Sequence, residues 1–284
     1  MSQRERIRKA AVAGFFYPRG ESELSRDIDA MMATSTPPAL PGGRLCAVVS
    51  PHAGYRYSGQ VAAHGYRCAQ GLDVHTVVVV SPSHVEHFGY SAVYGGGGYE
   101  TPLGLANVSQ EFSRTLAAVN SRVILSDHGH EQAHLTRQEH ALEVQIPFLQ
   151  RALAGFRLVA VVMGDQSWDN CTALGEALAP LASDPGVLIV ASTDLSHFHD
   201  AVDAGRLDGE FRRILETMDA HALFEAVRTG RSEACGAGPV IASLLATESL
   251  AGRRCTPLAQ QTSGDVSGDN SSVVGYLSAV ITAD

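Results

Sequence analysis

Short aliphatic runs alternate with stretches of helical periodicity along the whole chain. Cys46–Val49, Thr76–Val80, Leu158–Met163 and Val187–Ala191 are continuously apolar rather than alternating, as strands buried on both faces of a sheet are. Tyr90–Tyr94, Val123–Leu125 and Val273–Ile281 read as further strands. Apolar residues recur at helical spacing over Glu21–Met32, Gly59–Ala69, Gln110–Val119 and Thr172–Ala182, and two or three helices fill Asp203–Leu250. Gln138–Leu153 carries the same period, with a kink expected at Pro147. Thr36–Gly43 is a proline- and glycine-rich loop, and Gly95-Gly96-Gly97-Gly98 a turn or mobile loop. Strands alternating with helices predict an α/β fold, a single three-layer domain over 1–284 with a central mixed, largely parallel sheet.

Three of the strands end alike. Ala47-Val48-Val49-Ser50 runs into Pro51-His52-Ala53-Gly54, Val77-Val78-Val79-Val80-Ser81 into Pro82-Ser83-His84, and Leu188-Ile189-Val190-Ala191-Ser192 into Thr193-Asp194-Leu195-Ser196-His197. Ligands of open α/β sheets bind beyond the carboxyl ends of the strands, so parallel neighbours would bring His52, His84, Asp194 and His197 to one edge. One histidine after one strand is ordinarily solvated or capping, and Asp194 alone could cap a helix. The same arrangement three times points to a site. Neutral imidazoles with a carboxylate or thiolate suit Fe(II), Cu or Zn.

Composition narrows the chemistry. With 45% hydrophobic and 18% charged residues in 284, the chain can bury a large core. The net charge of −9 argues against nucleic acid or an anionic membrane as partner, and no apolar run approaches membrane-spanning length. The expected location is cytoplasmic. Lys9 is the sole lysine, which removes P-loop and Schiff-base chemistry. Cys46, Cys68, Cys171, Cys235 and Cys255 form no CxxC and suit reduced thiols better than disulfides. Four read as small hydrophobes. Cys235 differs: it lies in Glu233-Ala234-Cys235-Gly236-Ala237-Gly238-Pro239, where small neighbours leave room for a ligand or close backbone approach. The positive end of the apolar helix that follows is expected to lower its thiol pKa.

A second polar group spans Asp127, His128, His130, His134, Glu139, His140 and Glu143. HExxH is absent, which excludes a zincin. His128 and His130 read as residues of a solvated loop, whereas His140 and Glu143, at i, i+3 before Val144 and Ile146, are placed to border the pocket.

Six collinear stretches together resemble the Memo family. They are Ala11-Val12-Ala13-Gly14-Phe15-Phe16-Tyr17-Pro18, Pro51-His52-Ala53-Gly54-Tyr55, Ser81-Pro82-Ser83-His84, Glu139-His140-Ala141-Leu142-Glu143-Val144-Gln145, Asp194-Leu195-Ser196-His197 and Ser263-Gly264-Asp265. That family includes a mediator of ErbB2-driven cell motility and, in microbes, protein B of the AmmeMemoRadiSam system. The resemblance implies a fold like the catalytic subunits of class III extradiol dioxygenases, in which two histidines and a glutamate hold Fe(II). It implies His52, His84 and Cys235 as metal ligands, the cysteine standing where those enzymes have glutamate. Asp194 and His197 would then be pocket residues, His197 at the acid/base position. A thiolate is softer than a carboxylate and itself oxidisable. Two functions therefore compete: redox or dioxygenase-type chemistry on a small molecule, and a non-enzymatic module binding a metal or peptide, with Tyr55, Arg56, Tyr57 and Arg137 available to either ligand. Substrate and oligomeric state are not legible.

Overall fold

A run of consecutive aliphatic residues satisfies its backbone inside a sheet and its side chains between two covering layers. The computed structural model, which describes residues 6–36, 43–131 and 138–284, shows this arrangement. The strands are β1 (Ile7–Arg8), β2 (Arg44–Ser50), β3 (Thr76–Pro82), β4 (Ser91–Val93), β5 (Gly98–Thr101) and β6 (Gly104–Asn107). They continue with β7 (Val123–Leu125), β8 (Arg157–Met163), β9 (Val187–Ser192), β10 (His197–His199), β11 (Arg254–Thr262) and β12 (Val273–Ala283). The helices are α1 (Glu21–Thr34), α2 (Tyr55–Ala69), α3 (Gln110–Ala117), α4 (Ile146–Ala152) and α5 (Trp168–Ala182). They end with α6 (Ala201–Glu216), α7 (Ala220–Arg228), α8 (Ala237–Ala246) and α9 (Gly264–Ser267).

Nine strands form one mixed sheet in the order β10-β12-β2-β9-β3-β8-β4-β7, with β11 also paired to β12. Its centre, β2-β9-β3-β8, is parallel, while β12 runs antiparallel to β2 and β4 to β8. Alternation along β3 divides the core. Val78 and Val80 pack under α5 and α8, and Val77 and Val79 under α2 and α4. Helices α3 and α5 to α8 thus cover one face, and α1, α2 and α4 the other, the three-layer arrangement predicted.

Register sets the position of the site. Ser50 pairs with Ser192, and Val80 with Ala191, so β2, β9 and β3 leave the sheet at one level.

Several local expectations are corrected. The stretch Gln138–Leu153 is not one helix: a 3-10 turn over Glu143–Gln145 leads into α4, and Pro147 sits in the first turn of α4, where its missing N–H costs nothing. The second helix begins at Tyr55 rather than Gly59. Gly98 opens β5 in a separate three-stranded sheet with β1 and β6, so the glycine run is structured. Of the loop Thr36–Gly43, positions 37–42 lie outside the described residues, as do His134 and Arg137.

Candidate metal centre

The turns after β2, β3 and β9 converge with the segment before α8. The Asp194 carboxylate accepts the His52 backbone N–H at 2.7 Å, which ties the first turn to the third. Cys235 N–H donates to the Asp194 carbonyl at 3.2 Å, and Asp194 N–H donates to Cys235 Sγ at 3.3 Å. A Cβ on Gly236 would lie 2.2 Å from the Ser192 carbonyl oxygen, so only glycine lets this segment approach β9. The close approach read from the glycines around Cys235 is therefore present.

Hydrogen bonds determine the tautomer of each ring. The Ser192 hydroxyl spends its one proton on the Ala141 carbonyl at 2.7 Å and accepts from Gln145 Nε2 at 2.8 Å. His52 Nδ1, 2.9 Å from the same oxygen, must then be a donor, which leaves the Nε2 lone pair free. That Nε2 lies 3.1 Å from Cys235 Sγ. His84 Nδ1 faces Glu139 Oε1 at 3.1 Å. Burial pushes the Glu139 carboxyl up, but the hydrogen bond and charge of His84, His140 and the Ala141 N–H outweigh it and hold it at about 2. An ionised carboxylate only accepts, so His84 too carries its proton on Nδ1. One donor atom each of His52, His84 and Cys235 lies within 4.8 Å of the others.

His84, Glu139 and His140 form a second group of the same compactness. An imidazole lone pair lies in the ring plane. His52 and His84 meet at 77°, so their planes intersect, whereas His84 and His140 stack at 22° with centroids 5.0 Å apart. Glu139 Oε1 already accepts from His84 Nδ1 and from the backbone N–H of His140 and Ala141. Glu139 is therefore the acceptor that orients His84, and the convergent set is His52, His84 and Cys235.

His197 stands on β10 at the same edge, with Nδ1 2.8 Å from the Leu195 carbonyl and therefore protonated there. Burial, with the nearby charge of His84, holds its pKa below the ordinary histidine value. His52 is pushed far lower by burial and by His84, His140 and His197, so it is a neutral imidazole. Burial raises Asp194 to about 7 against the opposing N–H groups of His52 and Ala53. Cys235 corrects an expectation. Burial and the adjacent Asp194 push its thiol up rather than down, so the metal-free site holds a neutral thiol despite the helix that follows.

The second polar group divides. His140 borders the pocket, its ring 4.5 Å from Phe16 and 5.6 Å from His52. Glu143 does not: it is fully buried, accepting from Arg8, the Ala11 and Val12 N–H groups and the Tyr17 hydroxyl. His130 is also buried, contrary to the loop reading, with Nδ1 2.5 Å from the Tyr99 hydroxyl and Nε2 3.0 Å from the Ala92 carbonyl. His128 sits on the loop beside Tyr90 as read. Asp127 pairs with Arg6 away from the site. Arg56 and Tyr57 are exposed beside the N-terminus of α2, and the Tyr55 hydroxyl is buried on the Val144 carbonyl. Ser192, which fixes His52, carries no signal in sequence beyond its position at the end of a strand, and Gln145 none beyond closing one of the six stretches.

Fold and site together define an α/β protein whose mixed sheet is parallel at its centre and antiparallel toward both sides, rather than largely parallel as expected, with a histidine–cysteine pocket at the carboxyl edge of the parallel strands. The chain belongs to the Memo family, whose model, described as Memo-like protein, matches residues 8–280. A MEMO1 family protein of Thermotoga maritima is 38% identical over 284 residues, covering 96% of this chain and 99% of the relative. One of Thermoplasma acidophilum is 36% identical over 274 residues, covering 96% and 98%. The crystal structure of an uncharacterized protein of Escherichia coli K12 superposes with a TM-score of 0.53 at 16% identity, over 84% of this chain and 99% of that one. That likeness supports the fold. Among the described residues no helix is long and apolar enough to cross a membrane.

Proposed function

We propose that His52, His84 and Cys235 hold one metal ion, Fe(II) before Cu or Zn, and that the site carries out redox chemistry of the extradiol-dioxygenase type on a small O₂-reactive molecule. The observation that carries this is the pair of tautomers. Ser192 and Glu139 each occupy an Nδ1, so both Nε2 lone pairs are left for a ligand beside Cys235 Sγ. Neutral imidazoles and a thiol that gives up its proton on binding are the donor set such an ion requires. When bound, the metal supplies the open positions at which substrate and O₂ meet. The chain's own part is acid–base: His197, protonated at Nδ1, presents Nε2 to take or return a substrate proton, and Asp194 holds the His52 turn and the Cys235 segment together. Five unpaired cysteines suit a reducing, cytoplasmic setting, and the acidic net charge disfavours nucleic acid.

One observation favours a second reading. Cys235 Sγ lies 3.1 Å from His52 Nε2, where the resemblance implies that extradiol dioxygenases have a glutamate, and a thiolate beside a redox metal is consumed by oxidation, which suits a metal- or peptide-binding module without turnover. Protein purified anaerobically, loaded with Fe(II) and given a panel of catechols in an oxygen electrode separates the two. The dioxygenase reading expects substrate-dependent O₂ uptake that is lost in His52→Ala and reduced in His197→Ala. Stoichiometric metal with no O₂ uptake on any catechol overturns it in favour of binding.

A further inference from the structure

Beyond the metal pocket, across Phe16, a cavity of about 740 Å³ opens between α1, α2 and the segment leading from β1 to α1. Its size falls in the range of small-molecule sites. The wall is built to hold its shape. Glu143 accepts the Ala11 and Val12 N–H groups, Gly14 turns the chain at φ +88°, and Phe16 carbonyl accepts the Tyr55 N–H at 2.7 Å. Tyr17 and Tyr55 point their hydroxyls inward to Glu143 and the Val144 carbonyl and are buried, so they back the cavity wall, and its exposed apolar surface comes from Phe15 and Phe16. Phe15, from the same turn, is 82% exposed at this wall, apolar area that a ligand would cover.

Charge on the lining is of two kinds. Arg19 and Arg56 line it, and neither pairs with a carboxylate among the described residues; Arg56 lies over the Tyr57 ring and Arg19 reaches the Ala13 carbonyl. Glu23 and Asp27, one helical turn apart on α1, line it as well, Asp27 accepting from Arg26 at 3.5 Å. An apolar body against Phe15 and Phe16, a carboxylate for the guanidinium groups and an ammonium for the carboxylates is the occupant these walls complement.

We infer that this cavity is a second ligand site, separate from the metal centre, for a small zwitterion of the amino-acid type with an apolar or aromatic side chain. Guanidinium binds the carboxylate in a fork, α1 receives the ammonium, and Phe15 covers the side chain. The test is calorimetric titration of the metal-free, full-length protein with L-phenylalanine, and in parallel with phenylacetate and phenethylamine, which each keep one charge. The inference expects saturable 1:1 binding of L-phenylalanine with a dissociation constant of about 1 mM or tighter. It expects both single-charge analogues to bind about tenfold more weakly or worse. Arg56→Gln and Phe15→Ala, changes at exposed positions that leave the core untouched, should each weaken L-phenylalanine several-fold, while His84→Ala should leave it unchanged. Absence of saturable binding overturns the inference. So do analogues that bind as tightly as the zwitterion, and so does a loss in His84→Ala without one in Arg56→Gln, which would place the ligand at the metal pocket.

Discussion

Histidines in this protein use the same side chain in opposite ways. His130 spends both ring nitrogens on the protein, one facing the Tyr99 hydroxyl and the other the Ala92 carbonyl, and nothing is left for a ligand. His52 and His84 spend only Nδ1, on Ser192 and Glu139; His52 Nε2 faces Cys235 Sγ, and a ring nitrogen of His84 lies within 4.8 Å of both ligand atoms. Burial alone does not distinguish them, since His52 and His130 are both 1–2% exposed. The distinguishing feature is the unspent nitrogen.

That contrast breaks most readily at the metal. Replacing His52 or His84 by Ala removes one of the three proposed ligands, and stoichiometric Fe(II) or Cu uptake should fall by two orders of magnitude or more with the fold retained, as read by equilibrium dialysis and circular dichroism. His128→Ala should change nothing. His130→Ala should retain metal while losing about 1–3 kcal/mol of stability, because the Tyr99 hydroxyl and Ala92 carbonyl lose their partner. Equal metal losses in both sets would erase the distinction.

Acid titration sharpens it further. Burial holds His130 at about 4 against 6.5 in the unfolded chain, so the unfolded state binds the extra proton. Stability from this group is complete above pH 6.5 and falls as the pH drops toward 4, by about 3 kcal/mol in all. Urea unfolding of the wild type and His130→Gln across that window should show a shallower slope in the variant. Parallel slopes would mean that His130 is not the buried neutral base described.

A smaller effect is expected at Glu139, which in the proposed site orients His84 without itself being a ligand. Glu139→Gln keeps an acceptor but weakens it, and metal affinity should fall about 10- to 100-fold while stoichiometry stays at one. Complete loss would instead make Glu139 a ligand, and the stacked His84–Glu139–His140 set the true centre.

The legibility of these regions from sequence follows the same division. The edge carrying His52, His84, Asp194 and His197 was readable because β2, β3 and β9 are buried on both faces and so appear as aliphatic runs that stop abruptly at polar residues. Strands of two to four residues such as β1, β5 and β6 have too few positions to show a period, and β5 begins inside a glycine run. The helical pattern over 138–153 was real as a pattern, but Glu139 and Glu143 are committed to His84 and to the N-terminal segment, and the backbone before Ile146 tightens to serve them. His130 was misread because its burial comes from partners far along the chain, Tyr99 and Arg8, which no local window contains. The glycines around Cys235 do allow the close approach to β9 that they suggest, whereas the helix that follows does not lower its thiol pKa. Desolvation outweighs the field of a ten-residue helix at a site this enclosed.

The central claim is that one ion is held by two imidazoles and the Cys235 thiolate, and Co(II) reports on that sulfur directly. Anaerobic titration of the metal-free protein with Co(II), followed by absorption spectroscopy, should give one ion per chain. A thiolate-to-cobalt charge-transfer band should accompany it in the near ultraviolet and vanish in Cys235→Ser. Cys235→Asp should also lack the band but bind Fe(II) better than Cys235→Ser does, because a carboxylate restores a hard ligand. A band that survives in Cys235→Ser, or one Co(II) bound by the wild type with no thiolate band at all, would contradict the assignment.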